Sequence, residues 1–165
     1  MKRILVIGCS GSGKSTFSKQ LSHRLNLPLV HLDHLFWNPG WIEREYKIFE
    51  GLLQIEIEKE QWIIDGNYIN SFPIRIKYAD TVIFFDFNRW ICTWRVIKRW
   101  LMQEGYQAIG CPQTMDWSFL KYVFWDYQKI YRTKALEIKE QYADSVNWIT
   151  FNDSNEVRNW FLMLH

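Results

Sequence analysis

Between Gly8 and Thr16 the chain reads Gly-Cys-Ser-Gly-Ser-Gly-Lys-Ser-Thr, a glycine, four residues, then Gly-Lys-Ser. The backbone N–H groups of such a turn point inward at the positive end of a following helix and cradle a polyphosphate. Lys14 is then placed to reach the β and γ phosphates, and the Ser15 hydroxyl to ligate Mg²⁺. ATP and Mg²⁺ are the expected ligands, held by Gly8, Cys9, Ser10, Gly11, Ser12, Gly13, Lys14, Ser15 and Thr16.

Three aspartates share a second pattern. Asp33, Asp65 and Asp86 each follow a short apolar run. A carboxylate there can hold Mg²⁺, directly or through water, or accept a proton from a substrate hydroxyl. Helix capping and loop hydrogen bonding are the competing roles. Arg95 and Arg99 lie four apart on one helix face, ahead of a segment holding Gly105, Gly110 and Pro112, and Arg132 lies beyond it. A closing loop flanked by arginines excludes water and neutralises charge on a phosphoryl group in flight. Arg95 and Arg99 are therefore candidates for that task, with Lys14 and Asp33, and Arg132 is a candidate nucleotide contact. Their competing role is ordinary surface charge or pairing with Glu104 and Asp126.

Elements to position these groups are legible. Arg3-Ile-Leu-Val-Ile7 is an unbroken apolar run of buried-strand type, and Phe17, Leu21 and Leu25 recur at helical spacing after Lys14. Further strands are expected at 29–32, 62–64, 81–85 and 146–151, and helices at about 43–59, 89–102, 117–142 and from 153. Such alternation predicts a parallel sheet covered on both faces, with ligands at the carboxyl ends of the strands.

At 165 residues the chain is expected to form a single domain, 1–165. Residues 43–66 hold seven acids against three bases, and residues 86–134 eight bases against four acids, so an anion is drawn to the second segment. Cys9, Cys92 and Cys111 have neither disulfide-framework nor metal-cluster spacing. The apolar stretch Ile4–Ile7 is too short for a signal-peptide core, and polar residues interrupt the longest later one, so a cytoplasmic protein without a membrane span is expected. There is no helix-turn-helix, zinc finger or continuous basic face, so direct nucleic-acid binding is not expected. Of the ten tryptophans, Trp90, Trp94, Trp117 and Trp125 are expected to pack lid helices against the sheet, while Trp37 and Trp41 are candidates for walls of an acceptor pocket.

The phosphate loop, together with 31–41 (His-Leu-Asp-His-Leu-Phe-Trp-Asn-Pro-Gly-Trp), 62–68 (Trp-Ile-Ile-Asp-Gly-Asn-Tyr), 84–90 (Phe-Phe-Asp-Phe-Asn-Arg-Trp), 94–99 (Trp-Arg-Val-Ile-Lys-Arg) and Gly110-Cys-Pro112, resembles the adenylate-kinase-like branch of P-loop kinases, and more closely the DNA topology modulation proteins. The resemblance implies a P-loop NTPase fold: α/β, with a five-stranded parallel sheet in the order 2-3-1-4-5 flanked by helices, and a small helical lid at about 101–117. It makes Asp65 the Walker B-type aspartate near Ser15 and puts 152–155 beside the adenine. The chain departs from adenylate kinases after Asp65-Gly66, where Asn67-Tyr68-Ile69 follow and no arginine occurs until Arg75. Asp33 instead looks like the aspartate with which small-metabolite kinases of the superfamily orient an acceptor hydroxyl. With only Cys111 in the lid, the zinc staple of some adenylate kinases is not expected. The expected function is a Mg²⁺–ATP-dependent phosphotransferase acting on a small nucleotide-like or hydroxylated acceptor. The alternative is a nucleotide-dependent regulatory ATPase with a macromolecular partner.

Overall fold

The computed structural model describes residues 1–102, 108–112 and 116–164. Five parallel strands form the main sheet: β1 (Arg3–Gly8), β2 (Leu29–His31), β3 (Trp62–Asp65), β4 (Thr81–Phe85) and β5 (Asn147–Phe151). Their spatial order is β2-β3-β1-β4-β5, which is 2-3-1-4-5 as expected.

Side-chain alternation along the strands explains why both faces are covered. Ile4 and Val6 of β1 face one core, with Ile63, Ile83 and Phe85. That core is closed by Phe17 and Leu21 of α1 (Lys14–Leu25) and by Cys92 and Val96. Leu5 and Ile7 face the other core with Ile64, Val82 and Phe84. Successive strand residues point to opposite faces, so an all-apolar strand needs an apolar layer on each side. The second layer includes the helix that follows β2. Phe49, Leu53 and Ile57, spaced four apart, form its buried stripe.

Between β2 and that helix lie two short elements absent from the sequence reading. The first is a one-turn helix, α2 (Leu32–Phe36), and the second an antiparallel hairpin pairing Trp37 with Glu43 and Asn38 with Ile42. Strand β2 therefore ends at His31, and Asp33 sits in the first turn of α2, not at a strand end. The helix expected from about residue 43 begins at Tyr46 (α3, Tyr46–Ile57), because the hairpin takes the preceding residues. A short 3₁₀ turn, Ile69–Ser71, leads into α4 (Phe72–Arg75). Helix α5 (Arg89–Met102) follows β4. The helix expected over 117–142 is found as α6 (Trp117–Lys121), a π-helical run (Tyr122–Arg132) and α7 (Thr133–Gln141) end to end.

Helix α8 (Ser154–Met163) starts with a capping box. Asp153 accepts from the N–H groups of Asn155 and Glu156, while Glu156 accepts from the Asn152 N–H. Of the expected lid, residues 103–107 and 113–115 lie outside the described residues.

The tryptophan expectation needs correction. Trp90, Trp94, Trp117 and Trp125 are exposed, and the fully buried tryptophan is Trp62. On α5 the buried residues are Cys92 and Val96, so Trp90 and Trp94, each two positions away, are carried to the outer face. No described helix is long and apolar enough to cross a membrane.

Candidate active site

A cavity of about 510 Å³ opens at the carboxyl ends of the strands, and the phosphate loop forms one end of it. Helix α1 starts at Gly13, which has no capping side chain, so the N–H groups of its first turn face outward without a partner further back in the helix. Gly11 is held at φ 84° with its α-carbon against the Cys92 carbonyl, a position that leaves no room for a β-carbon. Lys14, Ser15 and Thr16 line the cavity with Ser10, Gly11 and Gly13. Cys9 is different. Its thiol is buried, donates to the Val123 carbonyl at 3.5 Å and is pushed up by the neighbouring Cys92 thiol and by burial, so it does not face a ligand. The Gly8 N–H is committed to Asn67 Oδ1 at 2.9 Å, and the Ser12 N–H to the Cys9 carbonyl at 3.1 Å.

Asp65 ends β3 directly beside β1, paired in register with Val6. One of its oxygens, Oδ2, lies 2.9 Å from His31 Nδ1, while Oδ1 is buried with no hydrogen-bond partner. An orphaned carboxylate oxygen on the wall of a phosphate-loop cavity suits a divalent cation, because a buried acceptor left unpaired is costly. The described residues contain no cluster of three or more His, Cys, Asp or Glu able to enclose a metal. Mg²⁺ is commonly held by one carboxylate, a hydroxyl, water and substrate phosphates. Ser15 and Asp65 are the residues that would hold it.

The opposite end of the cavity is built from α2, the hairpin and the loop after β3. Asp33 Oδ1 accepts from the Tyr68 hydroxyl at 2.7 Å. Burial and the neighbouring Asp33 carboxylate push the Tyr68 hydroxyl up, so it remains a neutral donor. Trp37 and Trp41 meet edge to face, with ring centroids 5.5 Å apart, and both line the cavity. The loop itself is held from below by Arg75. This wholly buried guanidinium donates to the carbonyls of Gly66, Asn67 and Tyr68 and to Ser71 Oγ, and burial pushes it down to about 9. His31, Asn67, Tyr68 and Arg75 were given no site role from sequence. The Asp-Gly-Asn-Tyr run after an apolar strand is the available signal for two of them, Asn67 and Tyr68.

The structure separates the three arginines. Arg95 donates to the Ser12 carbonyl at 3.2 Å and to Ser154 Oγ at 2.8 Å, tying the phosphate loop to the start of α8. That places 152–155 beside the phosphate-loop end. Arg99, one turn further along α5, is half-buried, and its Nε has no hydrogen-bond partner. Burial pushes its guanidinium down, partly offset by the Asp33 carboxylate, and both residues line the cavity. Arg132 is bound two-pronged to Asp86 at 2.6 and 2.7 Å and is not among the residues lining the cavity. Burial outweighed by that carboxylate pairing leaves its guanidinium raised, the Asp86 hydrogen bond being the largest influence.

Residues 110–112, within the expected lid, are fastened to the hairpin. The Gly40 N–H donates to the Gly110 carbonyl at 3.0 Å, the Trp41 indole N–H to the Pro112 carbonyl at 2.7 Å, and the Cys111 thiol to the Asn38 carbonyl at 3.4 Å.

The fold has counterparts among solved structures. Shikimate kinase from Bacteroides thetaiotaomicron matches over 99% of this chain and 95% of its own, at 18% identity and TM-score 0.54. A gluconokinase from Sinorhizobium meliloti 1021 matches over 99% and 98%, at 16% identity and TM-score 0.56. The chain shares its fold with these two kinases. In sequence, this chain is 32% identical over 71 residues to a shikimate kinase of Flavobacterium psychrophilum, a match spanning 43% of this chain and 41% of that protein. No family profile matches it. Within this fold, loop residues between Ser10 and Thr16 and the carboxylates Asp33 and Asp65 meet around one cavity.

Proposed function

We propose that the protein is a Mg²⁺- and ATP-dependent phosphotransferase of the adenylate-kinase-like class that moves the γ-phosphoryl group to a hydroxyl of a small acceptor. One observation carries this reading. A single cavity joins a phosphate loop and the orphaned Asp65 oxygen to Asp33, a carboxylate held by Tyr68, among aromatic walls. A cavity of about 510 Å³ suits small molecules.

In this reading the loop N–H groups and Lys14 grip the β and γ phosphates, and Ser15 and Asp65 hold Mg²⁺, which neutralises phosphate charge when bound. Asp33 orients the acceptor hydroxyl and takes its proton as the oxygen bonds to the γ-phosphorus. The bond from that phosphorus to the β-phosphate oxygen breaks, and ADP leaves. Arg99 steadies the charge on the phosphoryl group between the two. Arg95 acts on the nucleotide side by fixing the loop, and Arg132 supports that side through Asp86. The finer likeness to DNA topology modulation proteins and the cytoplasmic placement belong to the same proposal, and both rest on sequence.

Isothermal titration with Mg²⁺–ATP tests the nucleotide half. Wild-type protein is expected to bind, and Lys14→Ala, with its fold intact, to lose most of the affinity. A metabolite-library screen for ATP-dependent gain of one phosphoryl group tests the acceptor half. Release of inorganic phosphate alone, with a tight oligonucleotide complex at physiological salt, would favour the regulatory ATPase instead.

A further inference from the structure

We infer that Arg75, which lies behind the cavity wall, is the positioning residue that fixes the spacing between the nucleotide half and the acceptor half of the site. This rests on the kinase reading above and adds to it a residue that acts through two others.

Residues 66–68 follow Asp65 directly, and two of them reach in different directions. Asn67 Oδ1 accepts from the Gly8 N–H of the phosphate loop at 2.9 Å. The Tyr68 hydroxyl donates to Asp33 Oδ1, on the acceptor side, at 2.7 Å. Both residues line the cavity. Consecutive residues thus hold the phosphate loop and the proposed base, so a shift of this one segment disturbs both contacts.

The segment is not held by its own conformational preference. Tyr68 has φ 29° and ψ 62°, a backbone conformation that bulky side chains rarely adopt. Such a conformation persists only where surrounding contacts over-determine it, and it is concentrated at functional sites. Arg75 supplies those contacts. Its Nη1 donates to the Gly66 carbonyl at 3.1 Å, and its Nη2 to the carbonyls of Asn67 and, at 3.2 Å, Tyr68. Its Nε donates to Ser71 Oγ at 3.2 Å, and that hydroxyl donates in turn to the Tyr68 carbonyl at 2.8 Å. One rigid, planar fork therefore ties all three carbonyls and the turn that follows them. The guanidinium is wholly buried, and a buried charge is a costly way to fill space. Here that cost goes into the position of one loop.

The test uses full-length variants and two readouts. Calorimetry with Mg²⁺ and a non-hydrolysable ATP analogue reads the nucleotide half. Initial rates of labelled ester formation, from saturating ATP labelled at the γ position and a fixed pool of small alcohols, read the acceptor half. Asn67→Ala is expected to weaken the analogue about fivefold, and Tyr68→Phe to lower the rate about tenfold with the analogue's affinity unchanged. Arg75→Lys is expected to do both, because a single ammonium cannot span three carbonyls. Adding Tyr68→Phe to Arg75→Lys is then expected to cost less than about threefold more, because the Tyr68 contact is already displaced. Should Arg75→Lys not fold, Ser71→Ala takes its place in the rate measurement, since it removes the hydroxyl that joins Arg75 to the Tyr68 carbonyl. An unchanged rate in the folded variant used, or the full tenfold cost of Tyr68→Phe in its background, would assign Arg75 to stability alone and overturn the inference. Absence of any labelled ester from the wild-type protein overturns the kinase reading, and the inference with it.

Discussion

His31 Nδ1 and Asp65 Oδ2 lie 2.9 Å apart, on register partners of the adjacent parallel strands β2 and β3. The contact occupies one carboxylate oxygen and leaves the other, buried and unpartnered, on the cavity wall. His31 is thus a positioning residue for the proposed cation ligand. Such partners are worth about 10–100-fold in metal affinity. His31→Gln is expected to raise the Mg²⁺ concentration needed for half-maximal ATP binding by about tenfold. Asp65→Asn is expected to abolish the Mg²⁺ dependence. Titrating Mg²⁺ at fixed ATP, with melting temperatures measured on the same samples, separates this from a packing defect.

Arg95 and Arg99 should fail differently. Arg95 joins the phosphate loop to Ser154, so Arg95→Ala is expected to weaken ATP binding and lower the melting temperature. Arg99 lines the cavity with Asp33 and makes no contact to the phosphate loop like that of Arg95, and an arginine acting on the transferring group is worth about 10³–10⁵ in kcat. Arg99→Ala should lower turnover by at least a few hundredfold (about 3–4 kcal/mol) with little change in ATP affinity, and Arg99→Lys should restore little of it. Preserved turnover in Arg99→Ala would remove its catalytic role.

Much of this site was legible in the sequence, and the illegible part has a physical cause. The strand-loop-helix unit from Arg3 to Leu25 follows from local pattern: an apolar run, glycines, then helical spacing. The carboxylates at 33 and 65 were found because short polar residues ending apolar runs stand out. His31 and Arg75 were not, since their partners lie across the sheet or behind a loop and no spacing rule connects them. The hairpin at Trp37–Glu43 was missed because each strand is two residues long, too short for any period to register. The exposed Trp90 and Trp94 misled for the opposite reason, because residue type argued for burial while helical phase put them outside.

The hairpin-to-lid clasp should couple acceptor binding to the lid. Gly110 sits at φ 73°, where an added β-carbon would meet Pro39 Cβ at 2.9 Å. Gly110→Ala is expected to loosen the clasp. Trp41→Phe removes one hydrogen bond, worth about 1 kcal/mol or roughly fivefold. Both are expected to raise the acceptor KM about fivefold or more with kcat and melting temperature nearly unchanged. Steady-state kinetics with the acceptor varied provide the check.

Asp80 supplies a stability prediction with a definite pH signature. Partial burial opposes its ionisation, but the Thr81 hydroxyl and the N–H groups of Arg3 and Lys2 outweigh it and hold the carboxyl below its ordinary range. A carboxyl depressed in the folded state stabilises fully above its unfolded pKa, and the gain is lost as pH falls through the folded value. Asp80→Ala is therefore expected to cost about 1 kcal/mol at neutral pH, given its partial exposure. The gap to wild type should close below about pH 4. Urea melts of both proteins at several pH values measure it.

The central claim is transfer of phosphate to a small molecule through Asp33, and following the γ-phosphate of labelled ATP tests it most directly. Wild-type protein is incubated with Mg²⁺, ATP labelled at the γ position and a pool of small alcohols, and the products are separated. Label is expected in one low-molecular-weight phosphate ester, and to be lost in Asp33→Asn and Lys14→Ala although both variants remain folded. Label found only in inorganic phosphate, or an ester formed equally well by Asp33→Asn, would contradict it.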